Sequence, residues 1–412
     1  MHHTHFLVRE PLLDPQQRVV GYELCWRQPH HAEASAALPA PAPVVALESL
    51  LNFVASHVIG GEDGETWLLL DKILFLEAVP EMLSADALHR MPPARTVLSL
   101  PAATLDNPDT LQAVHALRAG GVGILLRNFA RAPAGLRLAS LASFVEVRFS
   151  GANVATQARA YAALKQSGLT MVARPVSNWA DFDACAALGL NAFVGKLHLT
   201  PRPGNTARGI NPAQAIILQL MQMVKENADL AQIEAVLKRD PTLSYKLLRF
   251  INSAGFGAGR EVQSMRQALT LLGYAPLHRW LTLLLATAST TGYSPVLLET
   301  AVVRGRLAEL LARDTLGKSE AEQVFVAGMF SLLDRLLGMT MAEVLETIQL
   351  PDGVVEALLT RSGRYGPYLA LAEACELNSD LVAALAIALK LHPEEINQAH
   401  LQALAWAQQM AV

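Results

Sequence analysis

An α/β barrel followed by an all-α domain is the fold class that the sequence predicts: a (β/α)8-type barrel over residues 1–203, then a helical domain over 204–412. Three observations carry this reading. Short β-type runs alternate with helical runs through the first half, which is the grammar of a barrel with helical crossovers. The segment TPRPGNTARGINP (200–212) is rich in proline, glycine and polar residues and reads as a linker. Beyond it no β alternation of any length is found, and apolar residues recur at helical spacing.

The strand candidates, in order, are 5–9, 18–26, 66–70, 95–99, 121–126, 143–148, 169–173 and 191–194. Only EPLLDPQQR separates the first two, too little for a parallel crossover, so that pair is expected to be antiparallel. Helical runs at 44–59, 74–83, 109–119, 153–166 and 178–188 lie between most of the others. Asp109 and Asn178 stand at cap or first-turn positions, and Gly120, Gly168 and Gly189 stand where helices end. After the linker, Asn211-Pro212 and Asp240-Pro241 are cap-plus-first-turn pairs. Ile216, Ile217, Leu220 and Val224 share one stripe, and a helix runs from Ser264 to Gly273. Longer helices follow near 277–290, 295–316 and 319–337. Trp280, Leu281, Leu283, Leu284 and Leu285 read as a buried face rather than a partner groove. Leu401, Leu404 and Ala405 form a stripe that fits docking on the body or on a second subunit.

The composition bounds the function. At 52% hydrophobic and 17% charged, the chain can fill large cores and is not a disordered segment. A net charge of −4, spread over both halves, disfavours nucleic-acid binding by charge. No apolar run reaches the ~20 residues needed to span a bilayer, so membrane insertion is not expected. The start, MHHTHFLVRE, lacks a signal-peptide pattern. Cys25, Cys185 and Cys375 form no CxxC pair, so neither a zinc knuckle nor a disulfide framework is indicated, and a reducing, cytoplasmic setting fits. His2, His3 and His5, and the pair His30-His31, lack spaced partners and read as surface residues; FGAGRE (256–261) reads as a loop.

A barrel of this type works at the C-terminal ends of its strands, so those ends hold the candidates. Glu23 sits inside the apolar run VVGYELCWRQ, where a carboxylate is costly without a partner. Here the chain resembles a known family. GYELCWR is similar to the opening motif of the EAL domain, a barrel that hydrolyses cyclic di-GMP with two divalent metals, and VARPVSNWADFDACAALGLNAFVGKLHLTPRP resembles its closing segment. RDPTLSYKLLRFINSAGFG and VQSMRQALTLLG resemble the HDOD domain, a helical relative of the HD phosphohydrolases, and VAGMFSLLDRLLGM stands where those enzymes carry His-Asp. The resemblance spans nearly the whole chain and implies an EAL–HDOD two-domain bacterial signalling protein.

Carried over residue by residue, the metal-ligand pattern thins. Glu23 matches the first ligand. The Asn position falls near Leu70 or Asp71, the next Glu becomes Ser99, the central Asp-Asp becomes Arg127-Asn128, and Lys-x-Asp becomes Glu146-Val147-Arg148. A later Glu becomes Arg174, a Gln becomes Val194, and the His-Asp site of the helical half becomes Ser331-Leu332. The expectation is a non-catalytic regulator with no cofactor, acting on protein partners in a cyclic di-GMP pathway, with residual metal-dependent phosphodiesterase activity as the alternative. Glu23, Arg27, Arg127, Arg148 and Arg174 are the candidate ligand-binding residues. Arginines converging on one mouth suit phosphate, so a cyclic dinucleotide held without metal is one reading. The plainer one is a salt-bridge network among these arginines and Glu23, Asp71 and Glu146. A homodimer is left open.

Overall fold

The computed structural model describes residues 5–27, 43–60, 66–128, 138–148, 161–200 save 163, 212–251 save 240, 262–287 save 263, 295–347 save 338, and 350–410. His2, His3, His30, His31, the loop 256–261 and most of the linker lie outside the described residues.

Ten strands run in chain order: β1 (Leu7–Leu13), β2 (Val19–Trp26), β3 (Ile59–Gly60), β4 (Thr66–Trp67), β5 (Ile73–Glu77), β6 (Thr96–Pro101), β7 (Gly123–Arg127), β8 (Phe144–Val147), β9 (Thr170–Ala173) and β10 (Ala192–Val194). Eight of them close a barrel in the order β1-β10-β9-β8-β7-β6-β5-β2, as the sequence predicts. β1 is antiparallel to both neighbours and the other pairings are parallel, which follows from the short β1–β2 connection. Leu12, Phe75, Val97, Leu125, Val172, Ala192 and Val194 fill the interior, each strand giving one face inward. Gly21 is required where β2 meets β5: a Cβ there would lie 2.4 Å from the carbonyl oxygen of Ile73.

One strand differs from expectation. The run 66–70 is not a barrel strand; Thr66–Trp67 pairs with Ile59–Gly60 in a small hairpin, and Leu70 turns with φ of 50°. The barrel strand is Ile73–Glu77, assigned from the sequence to a helix. Its fully apolar start ILFL suits either element, because a short buried strand lacks the alternation that would mark it.

The crossover helices end where the sequence predicts. Asn178 caps Trp179–Ala187 by accepting from the Asp181 N–H, and Gly189 follows at φ of 85°. For Pro108–Ala119 the cap is Asn107, two residues before Asp109, accepting from Asp109 and Thr110.

The chain forms two compact units. One holds residues 1–203 together with 294–299 and 371–411; the other holds 204–293 and 300–370. The C-terminal helix Pro393–Met410 therefore packs with the barrel strands, burying Leu401, Leu404 and Ala405. Asn397 Oδ1 accepts from the Leu7 N–H at 2.7 Å, and Arg9 Nε donates to His400 Nε2 at 3.1 Å. Gln408 Nε2 donates to Glu299 at 2.6 Å, and Tyr22 donates to the same carboxylate.

The second unit is helical throughout its described residues. Asp229 and Ser264 cap their helices, and Gly273 ends Met265–Leu272 at φ of 72°. Trp280, Leu281, Leu284 and Leu285 are buried, as the stripe predicts. Helices Pro295–Leu316 and Lys318–Phe330 cross at Gly305 and Gly328, where a Cβ on Gly328 would meet the Gly305 Cα at 2.6 Å. Among the described residues no helix is long and apolar enough to cross a membrane.

Candidate functional site

Strand alternation decides which side chains face the barrel mouth. A residue two places from an interior one shares its face. Counting outward from Leu12, Phe75, Val97, Leu125 and Val172 puts Glu10, Glu77, Ser99, Arg127 and Arg174 on that face. Phe144 packs on the same interior cluster, which puts Glu146 and Arg148 there too. Glu23 stands directly opposite Glu10 in the β1–β2 register and shares its side. Four glutamates and three arginines therefore line the mouth.

They are ion-paired in three groups around the mouth. Arg174 Nη1 pairs with Glu23, and Arg174 Nη2 reaches Glu10 at 3.4 Å. Arg127 Nη2 pairs with Glu77 at 2.7 Å. Arg148 Nε lies 3.4 Å from Glu146, and Arg148 Nη2 donates to Asn128 Oδ1 at 2.9 Å. Glu23 and Glu146 are the deeper members; the Arg148 side chain, 70% exposed, is the outermost. Burial pushes the Glu23 carboxyl up more strongly than Arg174 pulls it down. The charges of Glu23, Glu10 and Glu146 together hold the Arg174 guanidinium protonated against its own desolvation. Burial, with Glu23 and Glu10 adding to it, pushes the Cys25 thiol up to about 12. Lys196, just past β10, is pulled down by burial while Glu10 opposes the shift.

The structure thus brings Glu23, Arg127, Arg148 and Arg174 to one mouth and leaves two expected members out. Arg27 pairs with Asp380 at the start of the helix Leu381–Leu389. Asp71 is exposed and lies 3.4 Å from Lys72. Glu10 and Glu77 are the residues the sequence reading missed. Glu77 was hidden by the displaced strand, and Glu10 by its place on the antiparallel strand, whose polarity puts an earlier residue at the mouth. The REPLL string could have revealed Glu10, since Arg9 and Glu10 must face opposite sides.

The two divalent metals that the EAL resemblance implies need oxygen ligands. Four carboxylates are the right donor type, but each is held by a guanidinium, and Ser99 is buried without a hydrogen-bond partner among the described residues. Arranged so, the donors do not fit a two-metal centre.

In the helical unit, Ser331 follows the helix Lys318–Phe330 and donates to the Gly328 carbonyl at 2.6 Å. Arg304 Nη1 donates to Ser331 Oγ at 2.8 Å, so a buried arginine stands beside the expected His-Asp position. Residues 211–350 match the HDOD domain model. The HDOD match thus follows a closed eight-stranded barrel. The match spans nine helices among the described residues, from Pro212–Lys225 to Met341–Thr347.

Relatives extend over both domains. The cyclic di-GMP phosphodiesterase CdgJ of Vibrio cholerae is 25% identical, covering 98% of this chain and 93% of that protein. The uncharacterized protein YuxH of Bacillus subtilis is 25% identical, covering 97% of each. Among solved structures, the PaMucR phosphodiesterase in complex with c-di-GMP is 20% identical with a TM-score of 0.36, covering 48% of this chain and 92% of that one. BlrP1 of Klebsiella pneumoniae, in a manganese and c-di-GMP complex, is 19% identical with a TM-score of 0.37, covering 47% and 56%. The expectation that the chain is no enzyme is corrected here: CdgJ, similar to it from end to end, is named a cyclic di-GMP phosphodiesterase. That expectation leaned on a count of one or two carboxylates, which missed Glu77 on the displaced strand and Glu10 on the antiparallel one; the mouth holds four glutamates, each paired with an arginine.

Proposed function

We propose that the protein takes cyclic di-GMP at the barrel mouth and hydrolyses one of its phosphodiester bonds, within a bacterial signalling pathway. The observation that carries this reading is the convergence of Arg127, Arg148 and Arg174 from three successive strands, beside an end-to-end relative named for that activity. The ligand carries two phosphodiester anions. Guanidinium forks recognise such anions through paired N–H bonds, and do so most strongly where water is scarce. Arg127 is the least exposed of the three at 19%, Arg174 follows at 27%, and in this reading they grip a phosphate from the β7 and β9 sides while Arg148 closes on it from β8. In the reaction, the water oxygen bonds to phosphorus as one ester P–O bond breaks, a proton from the water ends on the released ribose oxygen, and a linear dinucleotide with a terminal phosphate leaves. The arginines orient the phosphate and take up its charge.

The HDOD domain, in this reading, contacts protein partners and passes on the state of the barrel. Such coupling needs a ligand that binds two states with different affinity.

The test is a turnover assay with cyclic di-GMP and added Mg²⁺ or Mn²⁺, with the linear product resolved by chromatography. Product from the wild type, reduced at least about tenfold in Arg127→Ala with Arg148→Ala, is the expected result. No product from folded wild type would contradict hydrolysis.

A further inference from the structure

The mouth contains a feature that a simple anion site would lack. Glu10 and Glu23 are directly opposed on antiparallel strands, an arrangement that like charges disfavour. Arg174 bridges them, and it does so with both outer nitrogens: Nη1 on Glu23 and Nη2 on Glu10. Each outer nitrogen already serves one carboxylate. A phosphate that takes the Nη1–Nη2 end of Arg174 must therefore compete with Glu10 or Glu23 for it. The two carboxylates are not equivalent. Glu23 is 9% exposed along its side chain and Glu10 is 28% exposed, so Glu10 swings into solvent more cheaply. Its contact with Arg174, at 3.4 Å, is also the looser one.

We propose that Glu10 is a specificity-determining residue of the mouth: it occupies the outer nitrogen of Arg174 as an internal stand-in for a ligand phosphate, and a phosphodiester binds by displacing it. This rests on the reading that the mouth takes cyclic di-GMP. It goes further in setting a threshold. Weak or singly contacting anions do not repay the loss of the Glu10–Arg174 pair, whereas a dianionic ligand that also reaches Arg127 and Arg148 does. Glu10 thereby lowers affinity and sharpens selection for ligands with two phosphates.

The experiment is isothermal titration of the full chain with two probes, cyclic di-GMP and inorganic pyrophosphate, on wild type, Glu10→Gln, Arg174→Gln and the double variant. Thermal melts confirm that each is folded. Glu10→Gln keeps the shape and removes the charge; Glu10→Asp is the fallback, since it keeps the charge but shortens the reach. The expected result is tighter binding in Glu10→Gln, on the order of tenfold, with a smaller gain in Glu10→Asp. The gain disappears when Arg174 is Gln. Unchanged or weaker binding in a folded Glu10→Gln, or an equal gain without Arg174, would overturn the proposal. Pyrophosphate tightening through Arg174 without any cyclic di-GMP binding would sink the ligand reading and leave the role of Glu10 standing. Binding of neither probe by any form would sink both.

Discussion

Glu23 looked, within VVGYELCWRQ, like a catalytic acid or a lone metal ligand. In the folded chain it is the buried half of an opposed carboxylate pair that only a guanidinium makes tolerable. Replacing Arg174 with Met should therefore destabilise the barrel by about 2 kcal/mol, below the usual cost of breaking a buried pair because the site is partly exposed. The loss has a predictable pH dependence. With Arg174 gone, burial and Glu10 hold the Glu23 pKa above its unfolded value, so the folded state keeps a proton that the unfolded state releases. Stability is then present at low pH and lost as pH rises through the folded pKa. Thermal unfolding of wild type and variant at pH 5 and pH 8 should show the larger deficit at pH 8.

His400 runs the other way. Burial, with Arg9 adding to it, depresses this imidazole to about 3, and its Nε2 accepts from Arg9. The folded state holds the ring neutral, so its contribution is complete above the unfolded pKa of about 6.5 and fades as pH falls toward 3. Acidification from pH 7 to pH 5 should cost about 2 kcal/mol through this one group. In His400→Gln that part of the pH dependence should vanish from denaturant titrations at the two pH values.

At the scale of elements, most of the barrel was legible because its signals are local. The short β1–β2 connection dictates an antiparallel pair, Asn178 caps its helix as expected, and Ser264 and Gly273 bound theirs. What failed was ETWLLLDKILFLEAVPEM. Two apolar runs flank Asp71-Lys72, and neither alternates, so periodicity cannot say which one enters the barrel. The choice is made by closure: β5 must pair with both β2 and β6, and Leu74–Leu76 does so. That one displacement hid Glu77 and the pairing that Arg127 makes with it. In the helical unit, the Gly305–Gly328 crossing sets how closely two helices approach and how Arg304 reaches Ser331. Gly328→Ala should cost about 1–3 kcal/mol by overpacking, read from the denaturation midpoint.

At the scale of the whole molecule, the sequence separates barrel from helices but does not show where the last helices dock. A stripe of Leu401, Leu404 and Ala405 suits any apolar surface; the polar contacts of His5, Leu7, Arg9, Tyr22 and Arg27 are what tie the segment 371–411 to the barrel strands. Ending the chain at residue 370 removes Glu376, Asn397 and His400 at once and leaves Arg9 as an uncompensated charge. The truncated protein should lose at least about 3–5 kcal/mol and be cleaved within β1–β2 by protease under conditions where the full chain is intact. The site was half legible for a related reason. The arginines stand at strand ends that the motif order already marks, whereas Glu10 and Glu77 reach the mouth only through strand polarity and register.

The central claim is that the mouth takes a cyclic dinucleotide through its arginines. Titrating cyclic di-GMP into the full chain, with and without Arg127→Ala and Arg148→Ala, tests it most directly. Saturable heat at one site, weakened at least about tenfold in the folded double variant, is the predicted result. No heat with the wild type, or the same affinity without the two arginines, would contradict it.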